Sequence, residues 1–596
     1  MLDEKTHSTG GQFLLESAKP DAVFTPEDFD ETQRMIAATV DEFVERSVKP
    51  HTEAYEFGKK VELNLPMLRA AGEAGLLAVD VPEAFGGMGA NKATVILVAE
   101  RLAWSRSFSV THGAHSGIGT LPIVYFGTNE QKAKYLPKLA TGEIVGAYAL
   151  TEPGSGSDAL AARTTAVLDA DGAHYVLNGA KQYITNAGFA DLFIVFAKID
   201  GKKFTAFIVE RATPGLSVGA EERKMGIKGS STCPLVLENV RVPVGNVLGE
   251  IGRGHVVAFD ILNVGRFKLG AGAVGGCKAT LEAVVPYVKQ RQQFEKPLSH
   301  FGLIRAKLAD VAARTFVAES MVYRTAGLMD RAIDELDRSA PDYDRKTIDA
   351  VEDFTVECSM IKVIASEALA LAADEGVQCL GGYGFCEDYV LEGIYRDERI
   401  NRIFEGTNEI NRMLIPGVLL RKAQKGQLAL FQAAKAVADE LLGPPALGQP
   451  GEPGFLDEEA KLVSSMKKTL LATLGFAAQK AGFSLKDRQE VLADAADICM
   501  EVYACESALL RTLKKAHRDG REAAVPMGDM VTLYTHDAMD RVATWGRNIL
   551  ASLSTGDELR TMVAGLRRLA KHEPVDRTKL HDAIAARIVD ADGYAC

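Results

Sequence analysis

The spacing of apolar residues predicts a helical N-terminal region. Between residues 25 and 145, apolar positions recur mostly at the period of an amphipathic helix. Thr25 followed by Pro26 has the form of a helix N-cap with proline in the first turn, and the glycine-rich segment 82–90 interrupts the pattern. The first apolar stripe consists of Ile36, Val40, Phe43 and Val44.

The hydrophobic period changes to two from about residue 146 to 250, which is typical of β-strands. Segments 166–168 and 175–177 flank one Asp-Gly pair, and segments 193–196 and 204–209 flank another. Because Asp-Gly between two such runs is a hairpin signal, each pair of segments predicts an antiparallel hairpin. We therefore expect a β domain in the middle of the chain.

Long helical patterns return after the predicted β domain, and their number and length are those of a four-helix bundle. They cover residues 256–292, 301–335, 345–379 and 402–425. The Pro- and Gly-rich segment further on cannot continue a helix and predicts a linker. The predicted fold is mainly α with a central β domain, and it is divided into an N-terminal arm at 1–30, a helical domain at 31–145, a β domain at 146–250, a four-helix bundle at 251–425, a linker at 443–454 and a C-terminal helical domain at 455–596.

Composition excludes several classes of protein. The 596 residues are 47% hydrophobic and carry a net charge of −12 with interspersed signs, which suits a large globular chain and argues against nucleic acid as the partner. Eight cysteines without a C-x-x-C pair indicate neither a disulfide framework nor a metal site. The acidic, polar start differs from a signal or transit peptide, so we expect a cytoplasmic protein, with the inner membrane surface as a second location to consider.

Five short segments carry candidate chemistry. Residues 147–158 combine a strand-like run with two glycines and several hydroxyl groups, which suits an electron-rich ring or an anion, although an ordinary glycine turn has the same composition. A G-x-G-x-x-G match at 270–275 lies inside a helical pattern with no strand before it, which favours close helix packing over dinucleotide binding. The other four segments are 181–186, 291–294, 378–384 and 403–408.

Glu405 interrupts the apolar run of the last segment. Its neighbours Ile403 and Phe404 would reduce its solvation, which raises the pKa of a carboxyl group toward the range of a general base. For this residue taken alone, a helix-start acid or an ion-pair partner is the alternative interpretation.

Together, and in this order from about residue 30 to 425, the segments resemble the acyl-CoA dehydrogenase family. The resemblance implies a helical domain, a β-barrel-like domain and a four-helix bundle, with FAD between the last two. It implies that Glu405 removes a proton from the α-carbon of an acyl-CoA while a hydride leaves the β-carbon for the flavin. Some branches of the family carry this base at the position of Gly265 instead. Glycine cannot act as the base there, because it has no side chain to accept a proton.

The resemblance also assigns binding residues, and no metal ligands. Those for FAD are Tyr148, Leu150, Thr151, Ser157, Tyr183, Thr185, Arg291, Phe294, Gln378, Gly381, Gly382, Thr407 and Glu409. Five of them match residues that reach the FAD of a neighbouring subunit: Arg291, Phe294, Gln378, Gly381 and Gly382. Those for the substrate are Ser157, Phe404, Gly406, Arg266, Val110 and Ala114. The family usually has Trp where this chain has Tyr183, so Trp-specific packing is in doubt there.

Within the family, residues 261–267, the run 112–115 and the long C-terminal addition look most like the very-long-chain branch. Medium-chain members close the pocket floor with Gln and Glu at the positions of Val110 and Ala114, so we expect a deeper channel and a long-chain acyl-CoA as substrate. The implied partners are an electron-transferring flavoprotein and a second copy in a homodimer. The alternatives are an oxidase that uses oxygen and an assembly or scaffold role of the C-terminal domain.

The start of the C-terminal domain has one strongly apolar helical face. It consists of Leu462, Val463, Met466, Leu470, Leu471 and Leu474. Such a face must be covered, either by the protein's own bundle or dimer mate, or by a membrane surface that supplies long acyl chains.

Overall fold

The N-terminal part of the computed structural model consists of short helices. The structure describes residues 9–58, 60–443 and 454–596. Thr25 caps only a 3₁₀ turn at Pro26–Asp28, and the first α-helix begins at Glu31 with Asp30 as its N-cap, so the predicted helix start is too early. The helices here are α1 (Glu31–Phe43), α2 (Asn64–Glu73), α3 (Lys92–Arg101), α4 (Ser107–Gly113), α5 (Leu121–Phe126) and α6 (Asn129–Thr141).

The middle of the chain forms an eight-stranded sheet in the hydrogen-bonded order β6-β7-β3-β2-β4-β5-β8, with β1 parallel to β4. Its strands are β1 (Gly146–Ala149), β2 (Thr165–Leu168), β3 (His174–Thr185), β4 (Leu192–Ile199), β5 (Lys203–Glu210), β6 (Leu216–Val218), β7 (Thr232–Pro243) and β8 (Val247–Leu248). Both predicted hairpins are confirmed, since β2 is antiparallel to β3 and β4 is antiparallel to β5.

Long helices follow the sheet and pack side by side. They are α7 (Gly254–Gln290), α8 (Gly302–Asp334), α9 (Tyr343–Asp353), α10 (Thr355–Leu380), α11 (Val390–Glu398) and α12 (Asn408–Gln424), with a small hairpin of β9 (Gln292–Gln293) and β10 (Lys296–Pro297) after α7. The third predicted helix is broken at Phe354. The fourth begins only at Asn408, because two successive residues before it have positive φ and cannot continue a helix.

The G-x-G-x-x-G match lies inside α7, as its helical pattern predicted. A Cβ at Gly270 would lie 2.2 Å from the Ile361 side chain, and one at Gly275 would lie 2.1 Å from the carbonyl oxygen of Glu100. These glycines therefore let α3 and α10 approach α7 closely.

Six more α-helices follow among the described residues. They are α13 (Leu430–Leu442), α14 (Asp457–Ala481), α15 (Gln489–Asp519), α16 (Arg521–Leu553), α17 (Gly556–Leu569) and α18 (Arg577–Asp590). Of these, α15 and α18 pack against α8, and α15 also packs against α12. Apart from its two end residues, the predicted linker at 443–454 lies outside the described residues.

The apolar face predicted for the C-terminal domain belongs to α14. All six of its apolar side chains are buried, and the helix packs against α15 and α16 of the same chain. The intramolecular alternative therefore accounts for this face, although the cover comes from the C-terminal domain more than from the bundle. Among the described residues, no helix has the length and apolar character needed to cross a bilayer.

A buried network of charges joins the C-terminal domain to the rest of the protein. Arg511 of α15 donates to Glu319 of α8 at 2.6 Å and also pairs with Glu27 of the N-terminal arm. Lys278 of α7 pairs with both Glu319 and Glu100 of α3. Charged groups from the N-terminal arm and four helices thus neutralise one another away from solvent.

Candidate functional site

The candidate base lies in the loop that precedes α12. Glu405 has a φ of 58° and Gly406 a φ of 77°, so both lie in the left-handed region. For a residue with a Cβ atom this conformation costs on the order of 1–3 kcal/mol, so the surrounding structure must hold it. Thr407 then caps α12 by accepting a hydrogen bond from the Ile410 N–H at 3.2 Å.

Three buried side chains hold this loop by its carbonyl oxygens. Arg266 of α7 donates from Nε to the Glu405 carbonyl at 3.1 Å. Lys362 of α10 and Asn411 of α12 both donate to the Gly406 carbonyl at 2.9 Å. Because all three donors are buried, these hydrogen bonds fix the strained backbone in one conformation.

The carboxylate of Glu405 occupies space that a glycine leaves free. A Cβ at Gly265 would lie 2.6 Å from Oε2 and 2.9 Å from Cδ of Glu405. Oε2 itself is buried and has no hydrogen-bond partner among the residues that the structure describes. Burial raises the pKa of Glu405 to about 7, although the nearby charges of Arg266 and Lys362 act to lower it. A carboxylate with this pKa and a free oxygen suits proton abstraction near neutral pH.

Glu405 lines a largely apolar cavity of about 480 Å³. The structure brings Phe404, Thr185, Val110 and Ala114 to the same cavity. Val110 lies in α4, and Ala114 begins the π-helical turn Ala114–Gly119 that follows it. The helical domain, the sheet and the bundle therefore each contribute to one pocket.

Small residues on one face of α7 form a long wall of this cavity. Gly265, Gly272, Gly276, Ala279 and Ala283 all line it. The first and last of them are 18 residues apart, which at 1.5 Å per residue corresponds to about 27 Å along the helix axis. The far end reaches the protein surface, where Trp104 Nε1 donates to Glu282 Oε2 at 2.6 Å.

The remaining predicted residues of the β domain lie around a glycine-rich loop. Tyr148 and Leu150 are buried at the end of β1, and the Tyr148 hydroxyl donates to the Ala258 carbonyl at 3.3 Å. Thr151 accepts a hydrogen bond from the Gln182 N–H at 2.9 Å through its carbonyl. Ser157 and Tyr183 are exposed, and Tyr183 has a φ of 59°.

A buried ion pair braces the glycine-rich loop. Lys181 Nζ donates to Glu152 Oε1 at 2.7 Å and to the Leu150 carbonyl at 3.3 Å. Glu152 also accepts the backbone N–H groups of Arg163 and Thr164. Both ends of the loop are thereby held against β3, so its exposed tip has a fixed base.

The predicted residues of the later segments line a second cavity of about 540 Å³. Arg291, Gln378, Gly381 and Gly382 are among its lining residues. A Cβ at either glycine would have no atom within 4 Å, so the backbone there is open to a ligand. Phe294 is 86% exposed nearby in sequence, at the β9–β10 turn. None of these residues lines the cavity of Glu405, which Thr185 of the predicted flavin residues does line.

Models of known protein families match four parts of the chain. Models of the acyl-CoA dehydrogenase family match the N-terminal domain at residues 30–143, the middle domain at 147–240 and the C-terminal domain at 252–420, and a further C-terminal domain model matches 465–568. A "Probable acyl-CoA dehydrogenase" of Bacillus subtilis (strain 168) is 46% identical over 587 residues, which is 98% of both chains. The chain belongs to the acyl-CoA dehydrogenase family.

Two further proteins, one a solved structure and one a human enzyme, are similar to all or part of this chain. A crystal structure of an acyl-CoA dehydrogenase complexed with FAD from Bacillus anthracis is 48% identical, has a TM-score of 0.96, and is matched over 99% of this chain and 100% of that one. The very long-chain specific acyl-CoA dehydrogenase of Homo sapiens is 41% identical over 353 residues, 58% of this chain and 51% of that protein.

Several residues that shape this acyl-CoA dehydrogenase site were not predicted. Lys362 and Asn411, which hold the loop of Glu405, were missed, and so was the Lys181–Glu152 brace. The sequence does indicate a role for Lys362, because a lysine between Ile361 and Val363 in an apolar helix is expected to be buried and to need a polar partner. The predicted Glu409 is exposed in the first turn of α12 and does not line the cavity of Glu405.

Proposed function

We propose that the protein oxidises long-chain acyl-CoA thioesters to trans-2-enoyl-CoA with Glu405 as the base. The protein is an acyl-CoA dehydrogenase, and FAD is its cofactor. The observation that carries the assignment of the base is the free, buried Oε2 of Glu405 at the cavity wall beside Gly265.

Glu405 accepts the proton from the α-carbon. Its free oxygen can receive a proton without breaking an existing hydrogen bond, and its raised pKa improves its match to a weak carbon acid. Among the described residues its backbone N–H has no acceptor, so this N–H is available to a thioester oxygen, on which charge develops as the proton leaves. The same residue thus supplies both the base and an oxyanion donor.

FAD, when bound, would supply the acceptor for the hydride of the β-carbon. Thr185, at the end of β3, lines the cavity of Glu405 and would contact the flavin ring, with Tyr183 and the glycine-rich loop beside it. Arg291 and the open backbone at Gly381 and Gly382 suit the phosphate-bearing part of a dinucleotide. Because this second group lies in a separate cavity, we propose that it serves the FAD of a second subunit in a homodimer.

The length of the cavity supports a long acyl chain. A bilayer core of about 30 Å holds two layers of lipid tails, so one extended tail needs on the order of 15 Å. The wall along α7, at about 27 Å by its helical rise, exceeds that length, and the small, uncharged side chains of Val110 and Ala114 also line the cavity. Each methylene that enters contributes about 0.8 kcal/mol, which favours long chains over short ones.

An anaerobic titration of the purified holoenzyme tests this proposal. Palmitoyl-CoA should bleach the flavin absorbance, butyryl-CoA should do so much less effectively, and an electron-transferring flavoprotein should restore the oxidised spectrum. No bleaching by any saturated acyl-CoA would contradict the proposed activity. Rapid reoxidation by oxygen with a slow reaction toward the flavoprotein would instead indicate an oxidase.

A further inference from the structure

An ion pair connects the C-terminal domain to the helix that follows the catalytic loop. Arg412 of α12 donates from Nε to Asp497 of α15 at 2.8 Å. Its two terminal nitrogens donate to the carboxylate of Glu367 of α10, at 2.8 and 3.1 Å. One guanidinium thus joins three helices, and its planar fork fixes their relative orientation.

The same carboxylate continues the connection into the catalytic loop. Glu367 Oε1 accepts from Asn408 Nδ2 at 3.0 Å, and Asn408 Oδ1 accepts from Lys362 Nζ at 2.6 Å. Lys362 in turn donates to the Gly406 carbonyl, next to Glu405. A continuous set of hydrogen bonds therefore runs from α15 to the residue that follows the base.

Four of the five side chains in this connection are largely shielded from solvent. Asn408 and Lys362 are buried, and the side chains of Arg412 and Asp497 are 19% and 16% exposed, whereas Glu367 is 41% exposed. The catalytic loop needs such support because Glu405 and Gly406 are both held at positive φ. In this chain part of the support comes from outside the bundle, since Asp497 belongs to the added helical domain.

We propose that Asp497 and Arg412 are positioning residues, through which the C-terminal domain holds Glu405 in its reactive conformation. The inference rests on the proposed role of Glu405 as base. It assigns the added domain a part in the reaction, because loss of the Asp497 contact leaves Arg412 held only through Glu367 and loosens the loop. A displacement of about 1 Å at a reacting group can cost up to about 100-fold in rate.

The test compares Asp497→Ala with Asp582→Ala in FAD-loaded full-length protein. Asp582 also forms an ion pair between the C-terminal domain and the bundle, with Arg305 at 3.0 Å, but has no link to the loop. Asp497→Ala should lower the limiting rate of flavin bleaching by palmitoyl-CoA on the order of ten-fold, without changing the half-saturating concentration. Asp582→Ala should stay within two-fold of the wild type.

A conservative variant and a measurement without substrate complete the design. Asp497→Asn keeps an oxygen that can accept from Arg412 and should recover most of the rate. Amide hydrogen exchange over residues 403–411 should rise in Asp497→Ala and not in Asp582→Ala, whether or not the substrate assignment is correct. Unchanged exchange and an unchanged bleaching rate in Asp497→Ala would overturn the inference, whereas absence of bleaching in the wild type would overturn only the proposed function.

Discussion

At the scale of single residues, the site depends on an unfavourable backbone conformation at Glu405. Its positive φ turns the side chain toward the space above Gly265, where a Cβ would collide with the carboxylate. Three hydrogen bonds to the carbonyls of Glu405 and Gly406 offset the local cost. A glutamate at position 405 in this conformation therefore requires a glycine at position 265.

Glu405→Gln should retain the fold and FAD but almost abolish flavin bleaching by palmitoyl-CoA. The amide has nearly the same shape but cannot accept a proton, and a general base contributes about 10²–10⁴ in rate. Anaerobic stopped-flow absorbance measures the effect. Glu143→Gln, at an exposed glutamate paired with Lys138, serves as the control and should bleach normally. Wild-type bleaching by the Glu405 variant would show that another group removes the proton.

The bleaching rate should rise with pH through about 7, because only the ionised form of Glu405 accepts a proton and burial raises its pKa to about 7. Arg266 of α7 and Lys362 of α10 face the carboxylate and lower its pKa, and the Tyr148 hydroxyl faces it from β1. Lys362→Met removes one cation, so the midpoint of the pH profile should move upward. A midpoint near 4.5 in the wild type would contradict burial of the base in solution.

At the scale of secondary-structure elements, α7 both packs closely against neighbouring helices and lines the cavity of Glu405. Gly270 and Gly275 let neighbouring helices approach, whereas Gly272, which has open space beside it, lines the cavity of Glu405. Glycine thus serves two purposes in one helix, namely close helix packing and an open cavity wall. Each glycine also destabilises the helix, because glycine has a low helix propensity.

Gly272→Leu should shift the substrate preference toward shorter acyl chains. A Cβ at this position would have only the Ala99 carbonyl oxygen nearby, at 3.9 Å, so a larger side chain would extend into the cavity without a backbone clash. Gly272→Ala is the matched control and should keep the long-chain preference. The ratio of activities on palmitoyl-CoA and octanoyl-CoA measures the change, and an equal ratio in both variants would show that the tail takes another path.

The sequence was sufficient to predict most elements but not the loop that carries the base. Period-two segments with Asp-Gly between them specify local hairpins, and both form as β2–β3 and β4–β5. The parallel pairing of β1 with β4 joins segments far apart in the chain, and no local pattern encodes it. Residues 403–407 look helical because Ile403 and Phe404 extend an apolar run, whereas the positive φ of Glu405 depends on tertiary contacts.

Candidate site residues could be proposed from the sequence where they belong to a recognisable motif. Residues that reach the site only through tertiary packing could not. Glu405, Thr185, Val110 and Ala114 come from three separate segments, and the structure brings them to one cavity. The support around Lys362 was missed, because its hydrogen-bond partners are backbone and amide groups whose positions depend on how α10 packs against the loop.

At the scale of the whole molecule, buried charges join the C-terminal domain to the N-terminal arm and the bundle. Arg511 is 2% exposed and pairs with Glu319 and Glu27, while Glu319 also contacts Lys278. The opposing charges hold the pKa of Glu319 at about 2, well below its ordinary value, despite its burial. Such a network is sensitive to the loss of a single member, because the remaining charges stay buried without a partner.

Arg511→Ala should destabilise the whole protein by about 3–5 kcal/mol, since it leaves Glu319 and Glu27 with one cation fewer in a buried site. Because the network spans the arm, α8 and α15, we expect the C-terminal domain and the bundle to unfold together at a lower temperature. Differential scanning calorimetry measures this. Arg560→Ala is the control, since its pair with Asp557 is exposed, and it should change stability by no more than about 0.5 kcal/mol. A separate early transition for the C-terminal domain alone, with the bundle unchanged, would show that the buried charges do not couple the two parts.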